Sequence, residues 1–276
     1  MKLFKQVAIV GTGLVGGSLA LAIKKKRLAG EVVGVSRHRR SIWLAKKRGA
    51  IDRGSQELDI IKDADLVVLS MPVGAIMELS PKIARIIKKD CLVTDVGSTK
   101  AAIVARLEKC FKNYLGSHPL AGSEKRGIAN AGAGLFKDSL CILTPTGKTP
   151  KRVLRKMELF WQALGAKTSV IDPAAHDKAL SFTSHLPHVA AFSLIDTVPS
   201  GFAKLSSTGL RDTTRIAASD SELWSEIFLS NAGALIRAID GYIKNLRRTR
   251  SALKSRDKRA LTRILARAKE KRTRLL

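Results

Sequence analysis

A glycine-rich turn between an apolar strand and a helix constrains the fold of this chain more than any other feature. The strand predicted over Gln6–Val10 is followed by the sequence GTGLVGG, and a helical pattern begins at Leu14. Gly11 permits a tight turn, Gly13 lets a pyrophosphate approach the backbone, and Gly16 lets the helix pack closely on the strand. The N–H groups at the start of the helix would bind the phosphates. The segment therefore predicts a dinucleotide-binding unit.

Strand and helix patterns alternate through residues 1–172. Further strands are predicted at Glu31–Ser36, Leu66–Ser70, Leu92–Asp95, Tyr114–Gly116, Ser139–Thr144 and Lys167–Ile171. This alternation predicts an α/β fold: a Rossmann-type, doubly wound and mostly parallel sheet with helices on both faces. We expect residues 1–172 to form the dinucleotide-binding domain.

Helical patterns alone follow Asp172-Pro173, so residues 173–276 are predicted to form a second, all-α domain. Its main predicted helices are His185–Ile195, a long amphipathic stretch over Ser219–Leu246, and a basic helix over Leu253–Leu275.

The residues after the second strand discriminate between the two nicotinamide cofactors. An Asp or Glu about 20 residues after the glycines would bind the ribose 2′-hydroxyl of NAD. This chain instead has Ser36 and Arg37, followed by His38-Arg39-Arg40. Because an arginine can pair with a 2′-phosphate, we expect NADP to be favoured over NAD. The alternative is that these arginines only continue the basic excess of the chain.

That basic excess is large: 50 Lys and Arg oppose 23 Asp and Glu, a formal net charge of +27. Its densest part, Lys244–Arg274, holds fourteen Lys or Arg residues interleaved with leucines and an isoleucine. Such a pattern is typical of the solvated face of an amphipathic helix. No aromatic residues alternate with the cations as in a stacking platform, so no nucleic-acid partner is expected. The charge would also attract anionic substrates.

Neither membrane insertion nor a structural metal is expected. No apolar run approaches the ~20 residues that span a bilayer, and the first six residues lead directly into a strand and leave no room for a signal peptide. We therefore expect a cytoplasmic protein with no membrane partner. Cys91, Cys110 and Cys141 are widely spaced, which predicts free thiols and no metal site.

Three segments contain more polar and ionisable residues than the packing of a core requires. DVGSTK follows a predicted strand at Asp95, GSHPLAGSE begins at Gly116, and SHLPH begins at Ser184, with DTTR following at Asp212. Strand ends are where such sheets bind ligands. A histidine in a polar loop, such as His118, is a good proton acceptor.

With these segments the chain resembles, over nearly its whole length, the prephenate and arogenate dehydrogenases of tyrosine biosynthesis. The resemblance rests, in this order, on GTGLVGG, DVGSTK, GSHPLAGSEKRG, SHLPH and DTTRIAASDSELW. It implies oxidative decarboxylation of prephenate to 4-hydroxyphenylpyruvate, with hydride transfer to NAD(P). Arogenate, which has an amino group in place of the keto group, is the alternative substrate. The resemblance also implies a homodimer formed through the helical domain.

The resemblance assigns roles to single residues. His118 would accept the proton of the substrate C4 hydroxyl, and Ser98 would hydrogen-bond that hydroxyl or orient His118. Arg215 would hold a substrate carboxylate, His188 would bind substrate, and Glu124 would lie near the mouth of the site. Ser98 has a purely structural alternative, as the cap of a helix beginning near Thr99.

Other polar residues near these segments receive structural interpretations. His185 is expected to be a structural histidine with a local partner, Trp224 to belong to the core, and His176 to lie on the surface without a role.

Two other functions remain as alternatives. A different two-domain NADP-dependent dehydrogenase, of the β-hydroxyacid type, would carry a catalytic lysine on the first helix of the second domain, where this chain offers His185 and His188. A nucleic-acid-binding protein built on a basic dinucleotide fold is the other.

Overall fold

A computed structural model describes residues 2–122 and 125–274. The first half of the chain is built on one eight-stranded sheet. Its strands are β1 (Phe4–Val10), β2 (Ala29–Val35), β3 (Arg53–Ser55), β4 (Leu66–Leu69), β5 (Leu92–Asp95), β6 (Tyr114–Pro119), β7 (Leu140–Thr144) and β8 (Lys167–Val170). Their order across the sheet is β3-β2-β1-β4-β5-β6-β7-β8. Only the β6–β7 pair is antiparallel among these neighbours. The predicted mostly parallel Rossmann-type sheet is confirmed.

Helices cover both faces of this sheet. They are α1 (Leu14–Lys25), α2 (Arg39–Lys47), α3 (Val73–Ile86), α4 (Ala101–Leu107) and α5 (Lys151–Ala163). Alternate residues of β1 enter different cores, Val7 and Ile9 on one face and Ala8 and Val10 on the other. A strand buried on both faces has a continuous apolar sequence, which is why β1 was recognisable.

Strand β3 was not predicted. It has only three residues, one of them Gly54, and it lies at the edge of the sheet. Parallel pairing with β2 defines it, together with an ion pair in which Arg53 Nε lies 2.5 Å from Glu31 Oε1. These partners are distant in sequence, so local composition gave no signal for this strand.

The described residues after β8 form no further strand. They form α6 (Pro173–Leu180), α7 (Leu186–Thr197), α8 (Thr208–Thr214), α9 (Ser221–Ser230), α10 (Ala232–Lys254) and α11 (Lys258–Thr273). A π-helical turn, Ser181–His185, joins α6 to α7. The side chain of Asp172 caps α6 by accepting from the N–H groups of Ala174 and Ala175. None of the described helices combines the length and apolarity needed to cross a membrane.

Two predicted helices of the second half are wrong in their extent. The stretch Ser219–Leu246 is broken at Asn231, where α9 ends and α10 begins. The basic stretch is broken after α10, because Arg256 has a φ of +51° and Asp257 caps the start of α11. Helical spacing of apolar residues continues across both breaks, so periodicity alone could not locate them.

The topology brings the candidate site residues to one edge of the sheet. Strands β1, β2, β4, β5 and β6 are parallel, so their carboxyl ends meet there. Gly11 follows β1, Ser36 follows β2, Ser98 follows β5, and His118 lies near the end of β6. The strand order reverses between β1 and β4, and ligands of doubly wound sheets bind at such a reversal. Helix α6 packs against α4 and β7.

Candidate functional site

The first three glycines of the turn differ in whether a side chain would fit at their position. Gly11 has a φ of +101°, and a Cβ there would lie 2.1 Å from the Ser70 carbonyl oxygen. A Cβ on Gly16 would lie 2.0 Å from the carbonyl oxygen of Gly11. A Cβ on Gly13 would meet nothing within 4 Å. Gly11 and Gly16 are therefore required by the fold itself, whereas Gly13 faces open space that a ligand can use.

The start of α1 fits the phosphates of a dinucleotide. Gly13 is the N-cap and provides no side-chain acceptor, and the first turn, which begins at Leu14, contains no acidic residue. The N–H groups of that turn thus lack the usual side-chain cap, and the helix dipole favours an anion there. The Thr12 hydroxyl is buried and has no hydrogen-bond partner among the described residues. These residues would hold the pyrophosphate of a nicotinamide cofactor.

The end of β2 carries cations and no carboxylate. The Ser36 backbone N–H donates to the Ser55 carbonyl at 3.3 Å. The Arg37 side chain is exposed. The backbone carbonyl of Arg37 accepts from Gln56 Nε2 at 2.7 Å. The acidic residue of β2, Glu31, lies near the opposite end of the strand and pairs with Arg53. The position where an acid would bind the ribose of NAD is thus occupied by Ser36 and Arg37.

His118 stands at the head of a chain of hydrogen bonds that leads into the protein. Its Nδ1 lies 2.8 Å from His176 Nε2, and His176 Nδ1 lies 2.8 Å from Asp177 Oδ1. His118 is partly exposed, while His176 and Asp177 are buried. The Nδ1 side of His118 is therefore turned toward α6, and its Nε2 is the nitrogen left for a substrate.

The surroundings of His118 keep its imidazole neutral. Burial lowers the pKa of His118 well below its ordinary value, and the nearby His176, Lys100 and His185 lower that pKa further. Burial alone would raise the pKa of Asp177, but hydrogen bonds from His176 and from the backbone of Ala101 and Lys100 lower it. A neutral imidazole that is linked through His176 to an ionised carboxylate is an arrangement suited to accepting a proton.

The segment containing Ser98 is held by a buried ion pair. The Asp95 carboxylate accepts from Lys100 Nζ, from the Gly97 N–H at 2.8 Å and from the Tyr114 hydroxyl at 2.6 Å. The expected helix is present and begins at Ala101, two residues after Thr99, and no side chain of its own segment caps it. The structural alternative for Ser98, as a helix cap, is therefore wrong.

The cap of α4 comes instead from the second half of the chain. Asp177 Oδ1 accepts from the N–H of Lys100 at 2.7 Å, and Oδ2 accepts from the N–H of Ala101 at 2.9 Å. Asp177 lies on α6, so its carboxylate joins the first helix of the helical half to the loop that follows β5.

His188 presents one nitrogen outward from an aromatic stack. Its ring lies on that of Trp224, with centroids 3.4 Å apart and planes 22° apart. His188 Nδ1 donates to the Ser184 carbonyl at 2.9 Å, which leaves Nε2 as an acceptor. Burial lowers the pKa of His188. The expectation that Trp224 belongs to the core is wrong, because it is only partly buried and supports this proposed substrate residue.

His185 and His176 are the two histidines that were expected to have no role in the site. His185 is buried, and its Nδ1 lies 3.2 Å from Asn231 Nδ2, so the prediction of a local partner is confirmed. The prediction that His176 lies on the surface is wrong, since its exposed fraction is 0%. His176 is a residue that the sequence analysis missed. Its partner His118 is 58 residues away in the chain, so no local spacing could indicate the pair.

Arg215 is less closely tied to this arrangement. Arg215 is exposed at the start of a 3-10 helix, Arg215–Ala218, that packs against α7, the helix of His188. Its guanidinium forms no hydrogen bond or ion pair with another residue of the described ranges. Glu124 lies outside the described residues. Residues 2–122 and 125–274 contain no group of three or more His, Cys, Asp or Glu that could hold a metal ion.

Both halves of the chain match protein families of known function. Residues 19–170 match the family model described as prephenate dehydrogenase, nucleotide-binding domain, and residues 172–267 match prephenate dehydrogenase, dimerization domain. The chain belongs to the prephenate dehydrogenase family. Among its relatives, cyclohexadienyl dehydrogenase of Zymomonas mobilis is 37% identical over 93% of this chain and 91% of its own length.

Solved structures agree over nearly the whole chain. Prephenate dehydrogenase from A. aeolicus, crystallised in complex with hydroxyphenyl propionate and NAD+, superposes with a TM-score of 0.93 at 34% identity, covering 100% of this chain and 99% of that one. Arogenate dehydrogenase of Synechocystis superposes with a TM-score of 0.85 at 29% identity, covering 98% and 100% of the two chains. Both halves of this chain are thus built as in these enzymes.

The lowered pKa of His118 predicts how its ring titrates. A neutral imidazole should persist as the pH falls through about 6.5, the ordinary histidine value, and the proton should bind only below it. Measuring the ring C–H resonances of all five histidines by NMR against pH tests this. The His118→Asn variant assigns the resonance, and circular dichroism at each pH verifies the fold. A midpoint at or above 6.5 in folded protein would contradict the description of the site.

Proposed function

We propose that this protein catalyses the oxidative decarboxylation of prephenate to 4-hydroxyphenylpyruvate, with hydride transfer to a nicotinamide cofactor. The observation that carries the proposal is the position of His118 at the same sheet edge as the glycine turn, with its Nδ1 engaged by His176. Membership of the prephenate dehydrogenase family supports it. So does the likeness to the A. aeolicus enzyme, which was crystallised with hydroxyphenyl propionate and NAD+.

The chemistry divides between cofactor and protein. The bound nicotinamide supplies an acceptor for the hydride that leaves C4 of the substrate. His118 Nε2 takes the proton of the C4 hydroxyl, so that a ketone forms at C4 as the hydride departs. Cleavage of the bond to the ring carboxylate then releases CO2, and the electron pair of that bond makes the ring aromatic with a phenolate oxygen at C4. Return of the proton from His118 Nε2 would complete the phenol.

Four further residues are proposed to bind the substrate. Ser98 would hydrogen-bond the C4 hydroxyl, because the Nδ1 of His118 is already engaged by His176. Arg215 would pair with a substrate carboxylate, for which the planar guanidinium is well suited. His188 would offer its Nε2 from the stack on Trp224, and Glu124 would lie at the mouth of the site.

Arogenate is the second candidate substrate. It is favoured by the likeness to the Synechocystis arogenate dehydrogenase and by the name of the Zymomonas mobilis relative. Measuring kcat/KM for prephenate and arogenate with NAD and with NADP decides between them.

Replacement of the proposed base should nearly abolish turnover. His118→Asn is expected to lower kcat by on the order of 10²-fold or more, as for other general bases. Arg215→Ala should instead mainly raise KM, since it removes a binding contact. Steady-state kinetics on both substrates measure the effects, and unchanged cofactor binding and thermal midpoint serve as controls. A His118→Asn enzyme with wild-type kcat would exclude His118 as the base.

We propose further that NADP is preferred over NAD, because Ser36 and Arg37 stand where an acid would bind the ribose of NAD. Arg37→Ala should lower kcat/KM for NADP by about 10-fold or more, the usual worth of a hydrogen bond to a charged group, and leave NAD little changed. Arg155→Ala, an exposed arginine on α5, is the matched control. A wild-type enzyme that favours NAD would overturn the proposal.

The protein is also proposed to act as a homodimer through its helical half. The dimerization-domain model matches residues 172–267. Large apolar side chains of this half are exposed in the single chain, with Leu229 77% and Ile236 57% accessible, and such surfaces mark interfaces. Light scattering should give twice the chain mass. Ile236→Lys should shift it toward the monomer, while Leu159→Lys on α5 should not. A monomeric wild-type protein at micromolar concentration would contradict the proposal.

A further inference from the structure

We propose that His176 and Asp177 form a buried positioning dyad, which fixes the proton of His118 on Nδ1 and so leaves Nε2 free to accept the substrate proton. Only the source of the proton that Nε2 accepts, the substrate hydroxyl, depends on the proposed function. The arrangement of the three side chains is a property of the protein itself.

The direction of the hydrogen bonds follows from Asp177. Its carboxylate is an acceptor only, and it receives the N–H groups of Lys100 and Ala101 together with His176 Nδ1. His176 must therefore carry its proton on Nδ1. In the proposed dyad this is the only ring proton of His176, so its Nε2 accepts across the contact of 2.8 Å and His118 Nδ1 donates. The lone pair of His118 then lies on Nε2.

The charges around His118 also bear on its protonated state. His176, Lys100 and His185 all oppose protonation of His118, and Lys100 is itself paired with Asp95. Asp177 is the carboxylate on the α6 side, linked to His118 through His176. When Nε2 takes the substrate proton, the imidazolium can donate from Nδ1 to His176, whose own Nδ1 donates to this carboxylate. The negative charge of Asp177 would thus offset part of the cost of a cation that the three basic neighbours disfavour.

A purely structural role does not require the imidazole of His176. Asp177 caps α4 through Lys100 and Ala101, and its carbonyl accepts from Asn231 Nδ2 at 2.7 Å. Those bonds hold the two halves of the chain together without His176. The two ring nitrogens of His176 have hydrogen bonds only to His118 and Asp177 within the described ranges. His176 is buried, so it acts through His118 and not on the substrate.

The experiment compares His176→Leu, which removes the acceptor, with His176→Gln, whose amide oxygen can accept from His118 Nδ1. His176→Leu should lower kcat by on the order of 10²-fold with KM unchanged, and His176→Gln should recover at least about a tenth of wild-type kcat. Asn231→Ala is the matched control, because it removes a buried bond to Asp177 but leaves the three-residue chain intact. Its kcat should stay close to that of the wild type.

A second measurement needs no substrate, and its deciding part uses the wild-type protein alone. Long-range ¹H–¹⁵N NMR of the wild-type ring nitrogens should find His118 protonated on Nδ1, and His176→Leu should lose that preference. Protonation of wild-type His118 on Nε2 overturns the proposal. So does a wild-type kcat in folded His176→Leu, or a His176→Gln enzyme no better than His176→Leu. If the wild type turns over neither prephenate nor arogenate, the proposed function fails, while the NMR result still decides the dyad.

Discussion

The carboxylate of Asp177 is the contact on which the arrangement of the site depends. A buried carboxylate is stable only when donors surround it, and these donors come from both halves of the chain: the N–H groups at the start of α4 and the ring of His176. The bonds fix α6 against the loop that follows β5. Through these hydrogen bonds, Ser98 on that loop and His118 on β6 keep a fixed position relative to the helical half.

Features set by neighbours in sequence could be predicted, and features set by distant partners could not. The glycine turn and strands β1, β4 and β5 rest on local sterics and continuous apolar runs, so the sequence located them within a few residues. The burial of His176 depends on a partner 58 residues away, and β3 depends on pairing with β2. The break at Asn231, where φ is −121° and ψ is 27°, also occurs at a residue with distant partners: its side-chain amide donates to the Asp177 carbonyl and lies 3.2 Å from His185 Nδ1.

The fourth glycine of the turn links the cofactor region to the segment after His118. A Cβ on Gly17 would lie 2.1 Å from Cδ1 of Ile128, so Gly17 lets that segment pack on α1. Arg48, at the end of α2, donates to the carbonyls of Ile128 at 2.8 Å and Ala131 at 2.6 Å. The chain that leaves His118 is therefore fastened to the two helices that follow β1 and β2. The glycine turn and the segment that follows His118 therefore share this support.

The π-helical turn at Ser181–His185 has a consequence for how the family can vary in length here. The Leu186 N–H donates to the carbonyl of Ser181, five residues earlier, which amounts to one residue more than an α-helical turn contains. That residue rotates all of α7 by about 100° relative to α6. Deleting one residue would restore a regular helix and yet turn His188 away from Trp224. A relative that lacks one residue in this turn would therefore present a different face of α7 to Trp224.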